Sequence, residues 1–492
     1  MRQSYWFPLR SPTSSAARSK LTLLLAGFLV LIILVSPESP AQSQPEGKRL
    51  PNTTVQATPA ERTRLPVIFL PGVVGSQLYK NPPHWRSSEQ LWPVSEFGNR
   101  PLLGLKSDSR SALGANIFVG DILRAGSAKF SSLADFYGSL IEFLKAKGYK
   151  EDTDLFTFPY DWRQDNKTHF EALEQKIRLA KQKSGKEKVI LIGHSMGGLI
   201  MRAYVLSRAD RAASVDTLIT LATPYWGAPK VYYSMIKGYT FGNHLVRPQL
   251  MKILFQNWPA AYQLLPTASF IVDERKTWEL CPPHVILPGI QCPKQLLTLP
   301  ESYGVRYKWF KEVTPDPILD QYTETVDNVL TLTRELVELA RDFHASAGTK
   351  ENPKLPTNVK LYVIIGHGIS TLSGYVLKDW EPGRWQSLFP SSYLELETGR
   401  KVTMEPHFDD GDGTVPLWGL EISGATATYY VPTSGDGDFY AGHGSLPKNK
   451  TAQEIVGQIL DNNPPDAGRF PKTALPDWTL TSEESPNNLR LN

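Results

Sequence analysis

The sequence predicts an α/β protein: a mostly parallel sheet covered by helices on both faces and interrupted by one large insertion. Three observations predict it. Short Val/Ile/Leu-rich runs alternate with amphipathic stretches from Leu65 to Leu221. The alternation stops after Pro229 for about 130 residues, too long for a structureless loop inside a compact domain. It then resumes at Lys360. Strand–helix alternation of this kind is how a parallel sheet with helical cover reads in sequence.

The elements follow in order. Leu65 to Leu70 is apolar, carries Val and Ile and lies among Pro66 and Pro71, which marks a short buried strand. Residues 76–130 show weak periodicity and many Gly and Ser, with Trp85 and Trp92 in exposed-looking positions; this stretch reads as a loop-rich excursion. Leu133, Phe136, Tyr137, Leu140, Ile141 and Leu144 recur at helical spacing before Gly148. Leu155 to Tyr160 reads as a strand, and Phe170, Leu173 and Ile177 mark a second helix. Val189 to Ile192 is a strand that runs into a Gly-rich turn and a helix over Leu199 to Leu206; Val215 to Leu221 is the next strand. In the insertion, Val326, Val329, Leu330, Leu336, Val337 and Phe343 lie on one side of a long helix. Lys360 to Gly366 and Tyr429 to Val431 are the late strands.

The domain plan is a signal peptide over 1–41, a Pro/Thr-rich linker over 42–62, the first part of the α/β core over 63–229, a cap over 230–356, the second part of the core over 357–460 and a tail over 461–492. Arg2, Arg10, Arg18 and Lys20 precede an apolar run from Leu21 to Val35 and a small-residue exit, the pattern of a secretory signal. The run is short for a spanning helix, which needs roughly 20 residues; an uncleaved membrane anchor is the alternative. A secreted or extracytoplasmic protein is therefore expected. Most of the formal charge of +4 sits in that segment, so no electrostatic case for nucleic acid remains. Cys281 and Cys292, close together in a Pro-rich stretch, are expected to form one disulfide outside the cytosol. With only His284 nearby, a metal site there lacks ligands, and no cofactor is implied.

The chemistry resides in the turn Gly193-His194-Ser195-Met196-Gly197-Gly198. A nucleophile elbow needs Gly on both sides of Ser because the strand-to-helix turn is too sharp for side chains there. The Ser hydroxyl needs a base to take its proton, and in such a fold the partners follow in the order Ser, acid, His. His84 and His169 precede Ser195; His244, His284 and His344 lie in the cap; His194 adjoins the nucleophile and is expected to point elsewhere. His443, in a Gly-flanked loop after the last strand, is the expected base. Asp409, Asp410 and Asp412 all precede that strand, and position does not choose among them. An oxyanion needs two backbone donors: the amide of Met196, and one from the Gly-rich loop Pro71 to Ser76.

Five stretches resemble the lecithin:cholesterol acyltransferase family, which includes lysosomal-type phospholipase A2 and phospholipid:diacylglycerol acyltransferase. They are Val67 to Leu78 (VIFLPGVVGSQL), Phe158 to Arg163 (FPYDWR), Gly193 to Gly198 (GHSMGG), Ala222 to Pro229 (ATPYWGAP) and Gly411 to Pro416 (GDGTVP). The resemblance implies an α/β-hydrolase with Ser195 as nucleophile, Asp412 as the acid that holds His443, and the second oxyanion amide on Val74. It implies that Asp161 and Arg163 support the site without reacting. The chain departs from animal members in having Val73 where Cys or Asp is frequent, and in having no Cys in residues 76–150 to close a lid.

The expected activity is a serine-dependent lipid acyl-ester hydrolase or O-acyltransferase working through an acyl-enzyme on Ser195 at membrane or lipoprotein-like surfaces. A carboxylesterase for soluble or polymer-linked esters is the alternative; the complete triad argues against a silent lipid-binding module. Trp258, Tyr262, Leu264 and Leu265 in the cap suit either an acyl-binding wall or the cap's own core.

Overall fold

The computed structural model describes residues 64–84, 86–93, 103–105, 117–124, 136–238, 248–267, 270–273, 326–348, 354–379, 394–395, 401–433 and 442–472. The signal-peptide, linker and Cys281–Cys292 expectations, and the end of the tail, lie outside these residues.

The chain opens with β1 (Val67–Leu70), all four residues of which are buried. Next come β2 (Ser76–Lys80), β3 (Glu89–Trp92) and β4 (Ile117–Ile122), which pair antiparallel as a small sheet in the order β3-β2-β4. The expected loop-rich excursion thus contains a sheet. Its strands are short and bulged, which erases the period-2 signal. Trp92 is not exposed: it is 3% accessible, its Nε1 donates to Val74 O at 2.7 Å, and its ring meets Trp162 edge-on. Trp85 lies outside the described residues.

Helix α1 (Gly138–Ala146) buries Leu140, Ile141 and Leu144, as its spacing requires. Strand β5 (Leu155–Thr157) stops three residues earlier than the sequence suggests. Pro159 has no N–H to extend a ladder, and Tyr160 and Trp162 instead anchor this segment by side-chain bonds to Pro71 O and Ser76 O, at 2.8 and 3.0 Å. Helix α2 (Phe170–Ser184) ends at Gly185 in the left-handed region. Strand β6 (Val189–His194) leads to α3 (Met196–Ser207), and β7 (Val215–Leu221) follows. Helix α3 begins at Met196 rather than Leu199, because the elbow turns directly into its first residue.

After β7 come α4 (Pro229–Lys237), α5 (Pro248–Asn257), the single turn α6 (Pro259–Tyr262), β8 (Ile271–Asp273) and the long α7 (Val326–Ala347). Of the expected apolar stripe on α7, Leu336 and Phe343 are buried. This helix packs on α3 and α6, and Arg202 Nε of α3 donates to Ala347 O at 2.8 Å. Its periodicity is the same whichever element it covers, so the sequence alone does not say what it packs on.

The last elements are β9 (Lys360–His367), β10 (Ile369–Asp379), β11 (Leu394–Glu395), β12 (Lys401–Gly411), β13 (Ala427–Pro432) and α8 (Lys450–Leu460). Among the described residues the core sheet has six strands in the order β13-β9-β7-β6-β1-β5, and every pair in it is parallel. That is the predicted architecture. A second sheet, β11-β12-β10-β8, joins a strand of the insertion to the long antiparallel pair β10 and β12. The start of the tail packs on the sheet edge: Phe470 O accepts from Tyr430 N at 3.1 Å and its ring meets Tyr429 edge-on. Among the described residues no helix is long and apolar enough to cross a membrane.

Helix α3 crosses the end of β1 at Gly197, where an added Cβ sits 2.5 Å from both Leu70 O and Pro71 O. These are backbone atoms of the core sheet and cannot move alone. Gly197→Ala is therefore expected to destabilise the fold by roughly 1–3 kcal/mol, seen as a lower denaturant midpoint; an unchanged midpoint would show that the approach is looser than described.

Candidate active site

At the end of β6 the chain reverses into α3 through Ser195, which has φ +52° and ψ −125°. A non-glycine residue at positive φ is strained. Two bonds hold it: Ser195 N donates to Leu221 O at 2.8 Å, and Ser195 O accepts from Gly198 N at 3.0 Å. The strain lifts Oγ off the sheet at the N-terminus of α3, where the helix dipole favours developing negative charge.

His443 Nε2 lies 2.8 Å from Ser195 Oγ, and His443 Nδ1 lies 2.6 Å from Asp412 Oδ2. The sequence-expected Ser, His and Asp are therefore brought together in one hydrogen-bonded line. All three are buried, at 4%, 1% and 0% accessibility. Asp412 follows β12, and its Oδ1 accepts from the amides of Thr414 and Val415 at 3.0 and 2.8 Å. This explains the Gly-Thr-Val that follows the acid: a tight turn wraps two N–H groups around one carboxylate oxygen and leaves the other for imidazole. The Asp412 carboxylate accepts from Nδ1–H, so Nε2 is the nitrogen left to take the serine proton. Gly442 lets the His443 loop cross this turn, since a Cβ there would overlap Asp412 O.

The other two carboxylates face elsewhere. Asp410 Oδ1 accepts from Gly368 N at 2.7 Å, with Oδ2 3.6 Å from His367 Nδ1. Asp409 Oδ2 lies 3.5 Å from His407 Nε2 on a half-exposed stretch of β12. Both sit on β12, whereas Asp412 lies just past its end.

Beside Ser195 and His443 opens a cleft, its wall formed by Val73, Val231, Phe255 and Leu264. Lys230, Ser234 and Thr414 add polar groups to its lining, and Lys230 Nζ donates to Gly413 O at 2.9 Å. Of the four cap residues expected as wall or core, Leu264 lines the cleft, while Trp258 and Tyr262 are buried, their polar atoms bonded to Leu103 O and Gln256 O. In the loop after β1 the residue that faces the cleft is Val73. Val74, the expected oxyanion residue, has φ +56°, a buried side chain and a carbonyl turned to Trp92. Among the described residues the amides of Val73, Val74 and Met196 donate no hydrogen bond.

Asp161 and Arg163 form a pair of their own. Arg163 is fully buried, its Nε and Nη2 grip both Asp161 oxygens at 2.8 and 2.7 Å, and its Nη1 donates to Leu103 O at 3.1 Å. Burial pushes the Asp161 carboxyl up, and the Arg163 guanidinium outweighs it, leaving the group below the usual range. Arg163 thus spends its guanidinium on Asp161 and on the Leu103 carbonyl. Two further groups adjoin the site: His194, which points away from Ser195 Oγ as expected and has Nε2 3.0 Å from His443 O, and Tyr137, whose hydroxyl lies 3.1 Å from His194 Nδ1. Tyr137 looked like one more apolar position of a helix, and no spacing rule flags it.

A Ser–His–Asp line on an elbow above a parallel sheet, with a cleft beside it, defines an α/β-hydrolase-fold serine enzyme of the acyl-ester hydrolase and acyltransferase class. Residues 125–425, more than half of the chain, match the sequence profile of lecithin:cholesterol acyltransferase. The chain belongs to that family. It is 25% identical over 446 residues to phospholipase A(1) LCAT3 of Arabidopsis thaliana, covering 82% of this chain and 92% of that protein. It is 26% identical over 429 residues to the lysosomal phospholipase A and acyltransferase of Bos taurus, covering 80% of this chain and 86% of that protein. The solved Tle4–Tli4 complex superposes with a TM-score of 0.45 at 15% identity, covering 81% of this chain and 98% of that one; so loose a likeness carries no argument.

Asp412→Asn keeps the shape of the acid but donates where Nδ1–H should be accepted, and is expected to cut kcat by about 10⁴-fold. Asp410→Asn is expected to keep most of kcat. Steady-state hydrolysis of p-nitrophenyl butyrate checks both; the reverse ranking would assign the acid to Asp410.

Proposed function

We propose that this enzyme removes an acyl chain from a phospholipid or related lipid ester, holds it on Ser195, and passes it to water or to an alcohol. Ser195 Oγ attacks the ester carbonyl as His443 Nε2 takes its proton, and Asp412 steadies the imidazolium. The amide of Met196 and one from the Val73–Val74 segment, the latter assigned to Val74 from the family pattern, face the developing oxyanion. His443 then protonates the leaving alkoxide, and an acyl-enzyme remains. In the second half His443 takes the proton of water, giving a free acid, or of an alcohol, giving a new ester.

The observation that carries this reading is the Ser195–His443–Asp412 line opening onto a cleft whose wall is Val73, Val231, Phe255 and Leu264. Such a wall suits an acyl chain, and its apolar surface slows competing water at the acyl-enzyme. Contact with a lipid surface follows from the substrate, which is delivered from one. Export out of the cytoplasm rests on the basic residues from Arg2 to Lys20 followed by the apolar run from Leu21 to Val35.

The experiment is incubation of the enzyme on phosphatidylcholine liposomes carrying a sterol or a long-chain alcohol, with Ser195→Ala as control and products identified by mass spectrometry. A new ester that disappears in the control identifies transfer; free fatty acid alone identifies hydrolysis. Absence of any Ser195-dependent lipid product, with activity retained on soluble short-chain esters, would contradict the lipid reading.

A further inference from the structure

Tyr137 and His194 are both buried, at 2% and 1% accessibility, and neither touches the reacting atoms. Tyr137 Oη lies 3.0 Å from Gly72 N and 3.1 Å from His194 Nδ1, and His194 Nε2 lies 3.0 Å from the backbone oxygen of His443. The direction of each bond follows from chemistry. A carbonyl oxygen only accepts, so His194 Nε2 carries the proton given to His443 O. Burial, and next the neighbouring His443, hold the His194 imidazole well below its ordinary pKa, so it is neutral and its Nδ1 is an acceptor. The Tyr137 phenol, pushed up by burial, keeps its proton and donates it to Nδ1, while its oxygen accepts from Gly72 N–H. One directed chain results: Gly72 N–H to Tyr137, Tyr137 to His194, His194 to His443 C=O.

Two parts of the site that must address one carbonyl carbon together are thereby tied to each other. Gly72 opens the loop after β1 that carries Val73 and Val74, and His443 is the proton carrier. The rings are fixed as well: Tyr137 lies 4.9 Å from Phe69 of β1 and His194 lies 5.1 Å from the His443 ring, centroid to centroid. Packing alone gives no reason for a hydroxyl at residue 137, since Phe fills the same volume. Every polar atom of the chain is matched, which is the condition for a buried network to be rigid.

We propose that Tyr137 and His194 are positioning residues for acyl transfer: their hydrogen-bonded strut sets the spacing between the loop after β1 and the backbone of His443, so that both meet the ester bound at Ser195. This rests on Ser195 being the acylated nucleophile. The strut acts on alignment and takes no part in proton transfer at the reacting centre.

The test measures kcat and KM on p-nitrophenyl butyrate, normalised to sites titrated with a fluorophosphonate, for the full chain and its variants. Tyr137→Phe is expected to lower kcat per titrated site roughly 10- to 100-fold, the effect that a displacement of about an ångström carries, with KM changed little. His194→Gln, whose amide N–H still reaches His443 O, is expected to keep more kcat per site than His194→Ala. A Tyr137→Phe enzyme that is less thermostable yet turns over normally per titrated site would reduce the strut to a structural contact and overturn the proposal. Equal losses in His194→Gln and His194→Ala would overturn its His443 end. Wild-type protein that turns over without titrating at Ser195 would instead overturn the acyl-enzyme reading and this proposal with it.

Discussion

The rest of the structure depends on one backbone constraint, the reversal at Ser195. A non-glycine residue held at φ +52° is stable only if its surroundings leave it no alternative. Here the surroundings are the close crossing of α3 over the end of β1 and the bonds from Ser195 to Leu221 and Gly198. That crossing places the loop after β1 beside the hydroxyl. The parallel sheet therefore acts as a jig: β6 presents Ser195, β1 leads into the loop beside it, and the segments after β12 and β13 bring Asp412 and His443.

The acid is held by the same kind of economy. The turn after β12 spends two amides on Asp412 Oδ1 and leaves Oδ2 for His443. A carboxylate with three donors cannot swing away, and the imidazole it grips keeps one tautomer. Asp410, two residues earlier, is close in sequence but belongs to a strand and is turned to Gly368 and His367. A two-residue step along the chain thus separates the carboxylate bonded to His443 from one bonded to Gly368.

How much of this was legible in the sequence varies with how local the signal is. The core strands were plain, because Val189 to Ile192 and Val215 to Leu221 are apolar throughout, as buried parallel strands must be. The elbow was plain because glycines flank a serine at a strand-to-helix boundary. Asp412 needed the family pattern, since three carboxylates in four residues are equivalent until the turn is folded. Three features stayed hidden. The sheet of β2, β3 and β4 has short, bulged strands with no clean alternation, so Trp92 looked exposed. Helix α7 carries the same period whether it covers α3 or a cleft. Tyr137 and His194 work through contacts between elements far apart in the chain, and such contacts leave no local spacing to read.

The central claim is that Ser195, aligned by His443 and Asp412, carries the acyl group between donor and acceptor. Rapid-quench mass spectrometry during turnover of a medium-chain activated ester, followed by peptide mapping, measures this directly. The account predicts an acyl adduct on the peptide containing Ser195, formed before steady state and shortened in lifetime by added alcohol. Turnover with no adduct on that peptide, or with the adduct on another residue, would contradict it.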